Sequence, residues 1–239
     1  MSVTRLVVEG AELARGELLV PAPAARHARV ARVAPGDAIE VLDLAGRVAI
    51  GRLLAWERDA CRVVVESVVT GRGEPPEPAR LALGLLHTAA FDWAVEKATE
   101  LGATEIVPVV SSRTQRERRP DRPVRWRRVA AAAVAQCGRS RPPVIGEPVP
   151  LDELIARPGG LRLVADVAGD DGAIASAGDG FTLLVGPEGG FTDDERRAVV
   201  AAGFRRVALG ARTLRAETAA VAALAVVQQR LGWLGSAGR

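Results

Sequence analysis

The chain has 239 residues, 48% of them hydrophobic and 26% charged, with a net charge of +3. No apolar run approaches the roughly 20 residues that span a bilayer, and acids interrupt the N-terminal "MSVTRLVVEGAEL" where a signal peptide would be uninterrupted apolar, so a cytoplasmic protein with no membrane contact is expected. The two cysteines, Cys61 and Cys137, lack a CxxC setting, and His27 and His87 are too few and too separated for a histidine-based metal site, which argues against a disulfide framework or a bound metal.

Residues 1–70 carry short β-prone pieces in series: "RLVVEG", "GELLV", "DAIEVLD", "RVAIGRLL" and "CRVVVESVV", with turn signals such as "APGD" and "LAGR". Many short strands punctuated by Gly predict a small β-barrel or sandwich. One helical candidate, "PAARHARVARV", interrupts them and carries His27, Arg29 and Arg32. The stretch "GRGEPPEPAR" (71–80) is rich in Gly and Pro and reads as a linker.

Beyond it the pattern changes to strands alternating with helices. "RLALGLL", "EIVPVV", "LRLVADV", "FTLLVG" and "RRVALG" read as buried strands. "DWAVEKATELG", "PVRWRRVAAAAVAQCG" and segments near 193–202 and 217–230 read as helices. This alternation predicts an α/β domain around a mostly parallel sheet, with ligands at the carboxyl ends of the strands.

Charge is unevenly spread. Residues 111–141 hold ten arginines (113, 116, 118, 119, 122, 125, 127, 128, 139 and 141) against Glu117 and Asp121, a local net of +8. The planar guanidinium binds two phosphate oxygens at once, so the segment suits an anionic partner such as RNA. Candidate RNA contacts are Arg113, Arg116, Arg118, Arg119, Arg139 and Arg141, with Arg32 in the N-terminal part; the alternative is a solvated, salt-bridged face.

Two strand ends carry candidate chemistry. "LLVGPEGGFTDDE" (183–195) runs from a strand into a Gly-rich loop, and Thr192 with Glu195 forms a capping-box pattern that starts a helix near Asp193. The loop fits neither G-x-x-x-x-G-K-[ST] nor G-x-G-x-x-G. Its acids would repel a phosphate, so a neutral or cationic ligand suits it better. "LGARTLRAETAAVAAL" (209–224) places Arg212, Arg215 and Glu217 in or beside a second loop, where helix capping and a local ion pair are the plainer alternative.

Together these two stretches resemble the paired signature of the RsmE family, SPOUT-superfamily methyltransferases that methylate N3 of a uridine in 16S (small-subunit) ribosomal RNA. The similarity extends through "EKATELGATEIVPVVSSRT", "RWRRVAAAAVAQCGRSRPPVI" and, more loosely, "HARVARVAPGDAIEVLD". It implies a PUA-like RNA-binding β-barrel over 1–72 and, over 73–239, a SPOUT domain with a trefoil knot, an exception to the unknotted rule. It also implies a homodimer that acts on ribosomal RNA in assembled or late-assembly particles. S-adenosylmethionine is then expected against Leu184, Val185, Gly186, Pro187, Glu188, Gly189 and Gly190 of the first loop, and Leu209, Gly210, Leu214 and Arg215 of the second. Arg215 is the expected catalytic cation, Arg212 the second choice, and Glu217 its orienting partner or the proton acceptor. The chain departs from the family pattern at His87 and Ala90, where basic residues are expected. Two other readings remain: a SPOUT methyltransferase acting at another RNA position, and a non-catalytic RNA-binding protein.

Overall fold

The computed structural model describes residues 3–114, 122–170, 174 and 176–234. By internal contacts the chain divides into two units: Met1–Glu74 with Ala131–Pro142, and Pro75–Ala130 with Pro143–Arg239.

The first unit holds β1 (Thr4–Val7), β2 (Gly16–Val20), α1 (Ala24–Val30), β3 (Ala38–Leu42), β4 (Arg47–Trp56) and β5 (Cys61–Thr70). They form a five-stranded sheet in the order β1-β3-β4-β5-β2. In β5 the alternation of the sequence becomes alternation of faces. Cys61, Val63 and Val65 are buried while Arg62 and Glu66 are exposed. α1 is shorter than the sequence pattern suggests, because the chain turns at Arg32, which adopts φ +58°. Charged groups lock this unit internally. Glu40 takes a bidentate pair of hydrogen bonds from Arg72 (2.6 and 2.8 Å) and a third from Arg5 at 2.9 Å. The Arg72 hydrogen bonds hold the Glu40 carboxyl below its ordinary value despite burial.

The second unit continues with β6 (Ala79–Gly84), α2 (Thr88–Glu100), β7 (Glu105–Val110), α3 (Arg122–Cys137), β8 (Val144–Ile145) and β9 (Val149–Pro150). It ends with α4 (Leu151–Ala156), β10 (Leu161–Asp170), β11 (Phe181–Val185), α5 (Asp193–Ala201), β12 (Arg205–Val207) and α6 (Ala216–Arg230). The contact division passes within α3, after Ala130. The sheet runs β12-β10-β11-β6-β7-β8, with β9 also on β7, and every pairing is parallel.

Every residue of β11, "FTLLV", is buried, as a central parallel strand requires when both faces are covered. Leu183 faces a core that includes Phe91 and Ala94 of α2 and Ala220 and Leu224 of α6. Leu184 faces the opposite core, with Leu154 of α4 and Val199 of α5. Phe91 also packs on Trp126 with ring centroids 4.3 Å apart. The strands and longer helices follow the sequence pattern; α2 starts four residues earlier than "DWAVEKATELG" suggests, and β8, β9 and α4 have no counterpart in it.

Candidate active site

Parallel pairing puts the carboxyl ends of β6, β10, β11 and β12 along one edge, and the loops that leave β11 and β12 enclose a cavity of about 710 Å³ there. The first loop sits close against β6. A Cβ on Gly84 would fall 2.4 Å from the Pro187 nitrogen, so only glycine permits the approach. The loop then turns at Gly190, whose φ of +65° strains any side chain. Gly190 N–H donates to Pro187 O at 2.8 Å, closing the turn.

α5 follows at once, with the capping box that its sequence encodes. Glu195 N–H donates to Thr192 Oγ1 at 3.2 Å, and Thr192 N–H donates to Glu195 Oε2 at 2.8 Å. Glu195 has a second task, since its Oε1 accepts from Ser112 N–H at 2.7 Å in the turn after β7. Burial pushes the Glu195 carboxyl up, but the Ser112 and Thr192 hydrogen bonds outweigh it and the net shift is downward.

Of the residues expected at a cofactor, Val185 to Gly190, Leu209, Gly210, Leu214 and Arg215 all line the cavity, as do Arg212 and Glu217. Leu184 does not; it is fully buried in the core beneath α5, behind Val164 and Val199 of that core, which do reach the cavity. Arg215 sits at the N-cap of α6 with its side chain 86% exposed. Its Nη1 lies 4.0 Å from Oε1 of Glu217, whose side chain is 16% exposed.

The arginines singled out by charge part company. Arg113 donates through Nη1 to Gly189 O at 2.9 Å, on the first glycine loop. Arg139 lies in a buried pair with Glu74, Nη2 to Oε2 at 2.6 Å, with side chains 4% and 5% exposed, where no phosphate reaches it. Glu74 also accepts from the Ser140 hydroxyl at 3.0 Å. Arg141 is exposed and Arg32 is at the surface of the first unit. Arg116, Arg118 and Arg119 lie outside the described residues.

The cavity also takes in residues that the sequence reading missed: His87, Asp166, Arg196, Arg206 and Thr213. Asp166 sits within β10, at the irregularity between Ala165 and Asp170, which both pair with Val207, and lies 3.6 Å from Arg206 on β12. An acid at the carboxyl end of the strand "LRLVADV" was a usable signal under the strand-end rule; nothing local marks Arg196 or Arg206. His87 N–H, at the N-cap of α2, donates to Glu188 Oε1 at 3.1 Å.

Two glycine loops meeting at the carboxyl edge of a parallel sheet fit the family model that the chain matches over residues 73–228, described as an RNA methyltransferase domain. A ribosomal RNA small subunit methyltransferase E from Synechocystis sp. is 31% identical over 212 residues, covering 85% of this chain and 69% of that protein. The protein of that name from Mycobacterium tuberculosis is 33% identical over 227 residues, covering 84% and 81%. The crystal structure of the one from Neisseria gonorrhoeae, bound to S-adenosyl methionine, matches with a TM-score of 0.85 at 29% identity over 95% of this chain and 98% of that one. The chain belongs to the ribosomal RNA small subunit methyltransferase E family.

Proposed function

We propose that this protein transfers a methyl group from S-adenosylmethionine to N3 of a uridine in 16S (small-subunit) ribosomal RNA. The observation that carries the reading is the convergence of both glycine loops with Arg215 and Glu217 on one cavity. The residues present fit the methyl donor. Nothing lies within 4 Å of a Cβ built on Gly210, which leaves bare backbone facing open space, and Glu188, Asp166 and Glu217 supply carboxylates suited to a cationic ligand.

When bound, S-adenosylmethionine supplies an electrophilic methyl group on a sulfonium. Everything else falls to the chain. N3 of the uracil ring forms its bond to the methyl carbon as the sulfur–carbon bond breaks, and the N3 proton must leave. Arg215, exposed at the cavity, stabilises the negative charge that develops on the ring. Glu217 either takes the N3 proton or holds the Arg215 guanidinium in place while the proton passes to water, and the pH dependence of its variants separates the two. Alignment of the reacting atoms supplies most of the remaining acceleration.

The same reading assigns residues 73–239 to a SPOUT domain with a trefoil knot and residues 1–72 to a PUA-like RNA-binding domain. It makes the protein a cytoplasmic homodimer that acts on assembled or nearly assembled small-subunit particles. A second reading, methylation at another RNA position, is favoured by His87 and Ala90, which replace the basic residues expected ahead of "EKATELG". Mass spectrometry of small-subunit ribosomal RNA from cells with and without the gene tests both. Loss of one N3-methyluridine supports the first reading; loss of a different modification moves the protein to the second; an unchanged profile rejects both.

A further inference from the structure

The peptide between Gly189 and Gly190 is gripped at both ends. Its carbonyl accepts from Arg113 Nη1 at 2.9 Å, and its N–H donates to Pro187 O at 2.8 Å. In a planar trans peptide these two groups point in opposite directions, so the two bonds together fix the orientation of the plane. Glycine on both sides makes that plane the easiest in the loop to turn over, and an outside tether opposes this. The contact is close as well as polar. A Cβ on Gly189 would lie 3.2 Å from the Arg113 Cβ and 3.5 Å from its Cδ. Arg113 is itself held. Thr114 Oγ1 accepts from Ser111 N–H at 2.9 Å, Thr114 N–H donates to Ser111 O at 3.1 Å, and Ser112 N–H is fixed on Glu195. On its other side the loop is pinned by Glu188, which accepts from His87 N–H.

The geometry points to Arg113 as a positioning residue of the cofactor site rather than a contact to RNA phosphate. Its guanidinium sets the backbone of the first glycine loop in the conformation that receives S-adenosylmethionine. This inference rests on the assignment of that loop to the methyl donor.

The test uses the full-length protein and its Arg113→Ala, Arg113→Lys and Gly189→Ala variants. Calorimetry with S-adenosylmethionine is expected to show binding about tenfold weaker in Arg113→Ala, as for loss of one hydrogen bond to a charged group, with part of the loss recovered in Arg113→Lys. Without the ligand, hydrogen exchange at the Gly190 amide should be faster in Arg113→Ala, while the melting temperature stays near that of the wild type. The double variant Arg113→Ala/Gly189→Ala should bind little more weakly than the worse single variant, because both act on one contact. The log–log salt slope for small-subunit RNA should not change; loss of a phosphate contact would reduce it by about 0.7 to 0.9. Wild-type affinity for S-adenosylmethionine in Arg113→Ala overturns the inference, whether or not the salt slope falls. Failure of the wild type itself to bind S-adenosylmethionine removes the methyltransferase reading and this inference with it.

Discussion

Arg215 and Glu217 differ in exposure: the guanidinium stands in solvent at the cavity and the carboxylate is largely withdrawn beside it. A cation that acts only as charge develops affects turnover, not cofactor affinity. Arg215→Ala is therefore expected to lower kcat on the order of 100- to 1000-fold, with an unchanged dissociation constant for S-adenosylmethionine. Single-turnover methylation of small-subunit particles measures the first and calorimetry the second. If Glu217 orients Arg215, Glu217→Gln is milder than Arg215→Ala at every pH; if it takes the proton, the loss is severe and rates recover as pH rises and the uridine ionises unaided. Gly190→Val is expected to abolish S-adenosylmethionine binding by calorimetry, since a β-branched residue is strained at φ +65°. That these residues lie on two strand-end loops was legible in the sequence, because the residue types that mark such loops are local. Arg139 was not, because its partner Glu74 lies 65 residues away and only their meeting buries the charge.

At the scale of elements, α5 shows both cases. Its capping box spans three residues and follows from the helix geometry alone, so it was predictable. The bond from Ser112 to Glu195 joins segments 83 residues apart and had no sequence signal. The Glu195 carboxyl is held below its ordinary value of 4.5, so its stabilising effect is complete above that pH and is lost as pH falls through the lowered value. Glu195→Gln is expected to cost about 1 kcal/mol in urea unfolding at pH 7, the difference between hydrogen bonds to a charged and to a neutral acceptor, with the gap from wild type closing below pH 4.5. A gap that stays constant down to pH 3 would separate the stability of this helix start from the ionisation of Glu195. The two-residue strands β8 and β9 are too short to show any alternation, and the six residues of α4 make less than two helical turns, too few to show a helical period.

For the whole molecule, the concentration of arginine over 111–141 predicts RNA binding that weakens steeply with salt. Replacing Arg116, Arg118 and Arg119 together should flatten the log–log slope by roughly 2 to 3 in filter-binding titrations, and no change would return them to a solvated face. α6 is rich in Ala and Val around much of its circumference, with Val221, Ala222, Ala225 and Val226 half-buried in the single chain. Sedimentation at micromolar concentration is expected to give a dimer; a monomer would leave that helix as a core element of its own subunit only. The sequence by itself determined the alternation of strands and helices, the two glycine loops and the helix start at Thr192, because propensity, periodicity and capping act over a few residues. Only the tertiary structure decided that Asp166, Arg196 and Arg206 join those loops in one cavity, that Leu184 stays buried in the core, and that Arg113 holds a glycine peptide. Those outcomes depend on which strands lie side by side and which face each side chain takes. That information resides in contacts between residues far apart in the chain.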